Sequence, residues 1–193
     1  MLESLLVCTG VVALAEIGDK TQLLAFILAA RFRRPLPIVA GILVATIVNH
    51  ALAGALGAWI TSVVRPEVLR WILGLSFIGM AIWTLIPDRI EEEETKVAQR
   101  LGVFGATLVS FFIAEMGDKT QIATVAMAAH YAQALPVVVG TTLGMMLANV
   151  PAVYAGDRLA GRIPMRLVHG IAALIFAVMG VAALLGAGAG FGF

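Results

Sequence analysis

Two stretches of the sequence carry the same ionisable residues, AEIGDKTQLL beginning at Ala15 and AEMGDKTQIA beginning at Ala114. Each places a Glu, an Asp and a Lys inside a long apolar run. Carboxylate, hydroxyl and amide oxygens are the ligands that hard divalent cations such as calcium, magnesium and manganese prefer, and the stretches contain no soft ligand. They therefore predict a cation site, with the acids as first candidates for metal ligands: Glu16, Asp19, Glu115 and Asp118.

The composition shows where such a site must lie. The chain has 193 residues, of which 61% are hydrophobic and 13% charged, and its mean hydropathy is +0.99, values typical of an integral membrane protein. A transmembrane helix needs about 20 mainly apolar residues. Six segments satisfy this requirement, at residues 3–30, 36–63, 68–87, 101–129, 134–156 and 166–187. We predict an all-α integral membrane protein with six transmembrane helices, and the net charge of +1 argues against a nucleic-acid partner.

The two stretches belong to a longer internal repeat. Aligning them also aligns PIVAG at 37–41 with PVVVG at 136–140, and Gly57 with Gly156, at an offset of 99 residues. Each copy contains three predicted spans, an odd number, so the second copy should enter the membrane upside down. We predict two inverted three-helix repeats, residues 1–87 and 101–193, joined by an acidic linker at 88–100. This arrangement is common among secondary transporters, whose substrate site lies near the bilayer midplane between the repeats.

Basic residues in the connections predict the orientation. Outside the two motifs, nine of them follow the first, third and fifth spans: Arg31, Arg33, Arg34, Arg89, Lys96, Arg100, Arg158, Arg162 and Arg166. The opposite side has only Arg65 and Arg70. The positive-inside rule then places residues 88–100 in the cytoplasm and both termini outside.

Helical geometry indicates how the acids could meet. Steps of about 100° per residue place Glu16 and Asp19 on one face of a continuous helix, with the lysine of the motif nearby. Charges near mid-depth cost at least about 2.5 to 3.5 kcal/mol each on insertion scales, which indicates function. In an antiparallel arrangement the acids of the two motifs would form one cage. Lys20 and Lys119 either pair with these acids or extend toward the membrane surface.

Other residues are candidates for supporting or coordinating the cation. Gly18 and Gly117 either let the helix unwind, exposing backbone carbonyls, or allow close helix packing. Thr21, Gln22, Thr120 and Gln121 add oxygen ligands. Weaker candidates are Asn49, His50 and Asn149, which either face the site or only join helices. We assign the GTTLG sequence at 140–144 to helix packing.

The paired E-x-G-D-[KR]-[TS] motifs resemble those of the Golgi-type calcium/manganese antiporter family, over essentially the whole chain. The matching residues are Glu16, Gly18, Asp19, Lys20 and Thr21, then Glu115, Gly117, Asp118, Lys119 and Thr120. The resemblance implies export of a divalent cation from the cytoplasm in exchange for protons, with no cofactor besides the transported ion. The short central connection is closer to the bacterial manganese exporters of that family, which implies a bacterial inner-membrane location.

Two other functions fit parts of the pattern. The stretches EIGD and EMGD are similar to the G-x-G-D motif of intramembrane aspartyl proteases, but a Glu replaces the first Gly in both copies. An exporter of amino acids or small solutes would use the carboxylates only to carry protons. Neither the oligomeric state nor the choice between manganese and calcium follows from the sequence, since both ions accept the same oxygen ligands.

Overall fold

The computed structural model describes residues 1–86, 101–155 and 165–186, and these ranges contain helices and no strand. The helices are α1 (Leu2–Glu16), α2 (Lys20–Phe32), α3 (Pro35–Val63), α4 (Pro66–Thr84), α5 (Gly102–Glu115), α6 (Lys119–Tyr131), α7 (Ala134–Ala155) and α8 (Met165–Leu185). The predicted all-α class is confirmed.

The first predicted segment of each half is a pair of helices. Residues 3–30 are divided between α1 and α2, and residues 101–129 between α5 and α6, with both breaks inside the E-x-G-D motif. With a rise of 1.5 Å per residue, the 15 residues of α1 extend about 22 Å, less than the roughly 30 Å of a bilayer core. Each motif therefore lies between two half-length helices.

Three helices in the described part of the chain are long and apolar enough to cross a membrane by themselves: Pro35–Val63, Pro66–Thr84 and Ala134–Tyr154. The surface of the described helices is apolar. Large side chains such as Leu52, Leu75, Leu147 and Leu174 are exposed, whereas many polar side chains are buried. This distribution suits lipid as the outer solvent, because only polar groups inside the protein can find polar partners there.

Helices of the first half pack mainly on helices of the second. α1 lies along α7, α3 lies against α5, α6 and α7, and α4 lies along α8, whereas α2 and α3 scarcely touch. The halves are thus interlocked. The predicted units 1–87 and 101–193 do not each enclose a core of their own within the described residues, and one core cluster joins apolar residues of α1, α4, α6, α7 and α8.

Two glycines illustrate the reciprocal packing between the halves. A Cβ on Gly41 would lie 2.9 Å from the Phe104 carbonyl oxygen, and a Cβ on Gly140 would lie 2.6 Å from the carbonyl oxygen of Leu5. Gly41 and Gly140 are 99 residues apart, as are Leu5 and Phe104. Exchange of equivalent contacts is what a pseudo-two-fold relation between the halves produces.

The GTTLG sequence packs as predicted. A Cβ on Gly144 would lie 2.6 Å from the Thr9 carbonyl oxygen, so both glycines of the sequence bring α7 onto the backbone of α1. Several other predictions lie outside the described residues: the acidic linker at 88–100, Gly156, and the basic residues Arg89, Lys96, Arg100, Arg158 and Arg162. The orientation of the termini stays a prediction.

Candidate cation site

The helix breaks are made by glycines in the left-handed region. Gly18 has φ +85° and Gly117 has φ +76°, values that cost an L-residue roughly 1–2 kcal/mol. A Cβ on Gly117 would meet no atom within 4 Å, so that glycine is required by its backbone conformation and not by packing. Of the two roles considered from the sequence, helix unwinding and close packing, the structure therefore supports unwinding for Gly117.

The break also corrects the predicted geometry of the acids. Glu16 ends α1, and Asp19 is the N-cap residue of α2, with φ −79° and ψ 169°. The two carboxylates therefore do not share one face of a continuous helix, and that prediction was wrong. The glycine turns the chain between them. Asp118 has the equivalent place before α6, with φ −76° and ψ 166°.

Side chains of the motif hold each break in place. The Gly18 N–H donates to Gln22 Oε1 at 2.9 Å, and the Gly117 N–H donates to Gln121 Oε1 at 2.7 Å. These bonds satisfy backbone groups that the break would otherwise leave without a partner. The two glutamine amides thus support the unwound backbone.

The threonines of the motif bind the glutamates. Thr21 Oγ1 donates to Glu16 Oε2 at 2.5 Å, and Thr120 Oγ1 donates to Glu115 Oε2 at 3.1 Å. In each glutamate the other oxygen, Oε1, is buried without a hydrogen bond. Each glutamate is therefore oriented through one oxygen, and the second oxygen is available to a ligand.

The acids of the two motifs meet inside the protein. One carboxylate oxygen each of Glu16, Asp19 and Asp118 lies within 4.8 Å of the others, and all three side chains are buried. Ligands of one ion with bonds of about 2.0–2.6 Å lie at most about 5 Å apart, so this spacing fits a shared divalent cation. Glu115 is also fully buried, and its charge interacts with those of the other three acids.

The lysines of the motifs cross between the halves. Lys119 Nζ lies 2.9 Å from Asp19 Oδ2, and Lys20 Nζ lies 3.7 Å from Asp118 Oδ1. The first pair is almost inaccessible, with 2% and 0% of the side chains exposed, whereas 19% of the Lys20 side chain is exposed. Each lysine thus compensates the aspartate of the other motif, and the two equivalent pairs differ in length and burial.

The weaker candidates on α3 and α7 are fully buried. Asn49 Nδ2 donates to the Phe112 carbonyl at 3.2 Å, which joins α3 to α5. His50 Nε2 lies 3.9 Å from Glu115 Oε2. Asn149 Nδ2 donates to the Met145 carbonyl at 3.1 Å, one turn earlier in α7. Of these three, His50 is the residue that the structure brings beside a motif acid.

One contact at the site was not predicted from the sequence. His169 Nε2 lies 2.8 Å from the carbonyl oxygen of Ile17, in the unwound segment of the first motif. The two partners are 152 residues apart, so no local sequence pattern predicts the contact. The internal repeat does not predict it either, because the residue that aligns with His169 is Arg70.

The apolar surface and the all-α fold are those of a membrane protein. Its buried acids at two helix breaks form a candidate internal cation site. Comparison with known proteins shows which family it represents. The chain belongs to the family described as "Divalent cation/proton antiporter GDT1", whose model matches residues 4–92 and 103–190. The family is one of membrane transporters and not a class of enzymes, so membership makes the chain a cation transporter.

Individual relatives agree with this assignment. The chain is 52% identical over 172 residues to a Vibrio cholerae protein named "Putative manganese exporter", covering 89% of this chain and 85% of that protein. It is 31% identical to a GDT1-like protein of Synechocystis, covering 88% and 91%, and 29% identical to GDT1-like protein 5 of Arabidopsis thaliana, covering 89% and 91%. No solved structure shows a significant match.

Proposed function

We propose that this protein exports a divalent cation, manganese in particular, from the cytoplasm in exchange for two protons, and that it does so in a bacterial inner membrane. The cation binds between the two halves at the acids of both motifs. One observation carries the proposal: carboxylates 99 residues apart in the sequence meet in a buried cluster whose spacing fits one ion. The name of the Vibrio relative supports manganese as the substrate.

The charges of the site support exchange. Two cross-paired lysines balance Asp19 and Asp118, which leaves Glu16 and Glu115 as the uncompensated acids. Their charge of −2 is neutralised by one divalent cation or by two protons. The empty site would keep this charge, and a charge at mid-depth costs about 2.5–3.5 kcal/mol or more. Both loaded states therefore change between inward-facing and outward-facing forms more readily than the empty one, which couples metal exit to proton entry.

The two glutamates, Glu16 and Glu115, are suited to bind either the metal ion or protons. Glu16 Oε1 and Glu115 Oε1 are buried without a hydrogen-bond partner, while each Oε2 accepts a hydrogen bond from a threonine. A buried acceptor without a partner is costly. A metal ion bound to that oxygen removes this cost, and a proton on it removes the buried negative charge. Asp19 and Asp118 would add metal ligands whose charge the lysines already balance.

Flux measurements in reconstituted vesicles test the proposal. Manganese, calcium, magnesium and zinc are compared with the pH gradient and the membrane potential clamped independently. We expect metal movement to follow an opposing pH gradient and to be nearly insensitive to voltage, because the exchange of one divalent cation for two protons moves no net charge. Transport that follows voltage and ignores pH would contradict the two-proton exchange.

Substitution of the acids tests the site. Glu16→Gln, Asp19→Asn, Glu115→Gln and Asp118→Asn keep the shape of each side chain and remove its charge, so each should abolish or severely reduce transport in folded protein. Glu67→Gln is the matched control, because the Glu67 side chain is 72% exposed near the start of α4, and it should transport normally. If one whole motif could be neutralised with transport intact, the shared site would be wrong.

A further inference from the structure

His50 is a buried imidazole without a hydrogen bond. It lies in α3, none of its surface is exposed, and neither ring nitrogen has a hydrogen-bond partner. Its Nε2 lies 3.9 Å from Glu115 Oε2, which is too long for a hydrogen bond. Leaving a buried polar group without a partner costs about 1–3 kcal/mol. A ligand between Nε2 and the carboxylate would remove that cost.

The distance between the two atoms fits a shared metal ion. Two ligands at about 2.0–2.6 Å from one ion are separated by roughly 3 Å when adjacent and by up to about 5 Å when opposite. The 3.9 Å between His50 Nε2 and Glu115 Oε2, the oxygen that also accepts from Thr120, falls inside this range. Glu115 in turn interacts electrostatically with Glu16, Asp19 and Asp118, so the histidine lies next to the fourth acid, beside the three whose oxygens are within 4.8 Å of one another.

The internal repeat shows that the imidazole nitrogen of His50 has no counterpart in the second half. The offset of 99 residues aligns His50 with Asn149, which is also fully buried and whose Oδ1 has no hydrogen-bond partner. Asparagine offers a metal an oxygen, whereas histidine offers a nitrogen. Calcium and magnesium are held almost entirely by oxygen ligands. Imidazole suits first-row transition-metal ions, most of all iron, nickel, copper and zinc, and manganese is the weakest binder of that series.

We propose that His50 Nε2 is a ligand of the transported cation beside Glu115, and that this nitrogen makes the site discriminate against calcium and magnesium in favour of transition-metal ions such as manganese. The inference rests on the proposed function and adds the residue that sets the choice of ion. The acids supply charge and oxygen ligands that all of these cations accept, so they do not make this choice themselves.

Pulsed electron paramagnetic resonance of bound Mn²⁺ tests the contact directly, without transport. Purified protein with Mn²⁺ alone should show electron spin-echo modulation from a coordinated nitrogen, and ¹⁵N-labelled histidine should change its frequencies. The chain has three histidines. In a His130→Asn/His169→Asn variant His50 is the remaining histidine, and the nitrogen signal should persist. Bound Mn²⁺ without nitrogen coupling in the wild type or in that variant would overturn the proposal.

Competition in vesicles tests selectivity. His50→Asn should make calcium a stronger competitor of manganese uptake. We expect the ratio of their apparent affinities to change on the order of tenfold or more, since even the loss of a residue that only orients a metal ligand changes metal affinity about 10–100-fold. His50→Asn/Asn149→His places the imidazole in the equivalent position of the other half and should recover much of the original ratio. An unchanged ratio in His50→Asn, or equal losses for both ions, would overturn the proposal.

The two proposals fail in different ways. If wild-type vesicles move no divalent cation, the proposed function is wrong, while the resonance experiment still decides whether His50 binds the ion. If the wild type transports manganese and His50→Asn keeps its selectivity, only the role of His50 is wrong. His130→Asn alone is the control for the loss of an imidazole elsewhere in the protein, because His130 is partly buried and packs against Phe77 and Tyr131, and it should keep the wild-type ratio.

Discussion

Removing Lys119 should destabilise the protein more than removing Lys20, although the two residues occupy equivalent positions in the repeat. Lys119 Nζ lies 2.9 Å from Asp19 Oδ2 with both side chains almost inaccessible, whereas Lys20 Nζ lies 3.7 Å from Asp118 Oδ1 and is 19% exposed. Lys119→Met would leave the Asp19 carboxylate buried without its charge partner. Lys20→Met would remove a longer pair in which the lysine is partly solvated, although Asp118 is itself only 2% exposed.

The magnitudes follow from burial. Breaking a buried ion pair by removing one partner costs about 3–5 kcal/mol, which changes the unfolding equilibrium by roughly two to nearly four orders of magnitude. A fully solvent-exposed pair contributes about 1 kcal/mol or less, and the Lys20 pair, with a partly exposed lysine and a buried aspartate, should fall between these two values. Replacing both buried partners by neutral groups is often nearly neutral, so Lys119→Met/Asp19→Asn should recover most of the loss. Asn is the right partner change because Asp19 Oδ1 accepts from the Lys20 N–H at 2.6 Å, and Asn caps helices as well as Asp does.

The assay is a double-mutant cycle on the free energy of unfolding, measured by denaturant titration of purified protein in chelator-containing buffer. The four proteins are the wild type, Lys119→Met, Asp19→Asn and the double variant, and the Lys20/Asp118 cycle is run beside them. We expect a coupling energy of about 2 kcal/mol or more for the first cycle and clearly less for the second. Equal costs for the two lysines, or no recovery in the double variant, would refute the reasoning.

Three further predictions concern the glycines and the topology. Gly117→Ala should cost about 1–2 kcal/mol of stability and slow transport, because the φ of Gly117 is +76°. Gly79→Ala in α4 is the control: a Cβ there meets no atom within 4 Å, so this substitution should be neutral or slightly stabilising. Equal stability of the two variants in thermal unfolding would contradict the role of the helix break. Gly140→Ala should separate α7 from α1, because its Cβ would lie 2.6 Å from the Leu5 carbonyl oxygen, and lose about 1–3 kcal/mol, whereas Gly10→Ala in α1 meets nothing within 4 Å and should not. In a Cys8→Ala background, cysteines at positions 95 and 193 should react with impermeant reagents from opposite sides of the membrane, and labelling from the same side would exclude the inverted repeat.

The composition and the repeat of the sequence were sufficient for the general description of this protein. A chain this apolar can satisfy its backbone in lipid with helices, so the all-α membrane class followed from hydropathy, and the structure has helices throughout its described residues. The duplicated motif identified Glu16, Asp19, Glu115 and Asp118 as the candidate ligands. Charges buried in apolar sequence stand out without any knowledge of the fold, because the cost of burying them is high wherever the helices pack.

The tertiary structure decided how these residues meet. The sequence allowed Gly18 and Gly117 two roles, and only the backbone shows that both have positive φ and that Asp19 leaves the face of Glu16. The crossed pairs, Lys119 with Asp19 and Lys20 with Asp118, depend on the packing of the two halves. So do the contacts of His50 with Glu115 and of His169 with the Ile17 carbonyl. The physical reason is that helices apolar on nearly every side carry no periodic stripe that selects a partner. Which residues touch across 99 or more positions is set by close contacts such as those of Gly41 and Gly140, and these exist only once the helices are packed.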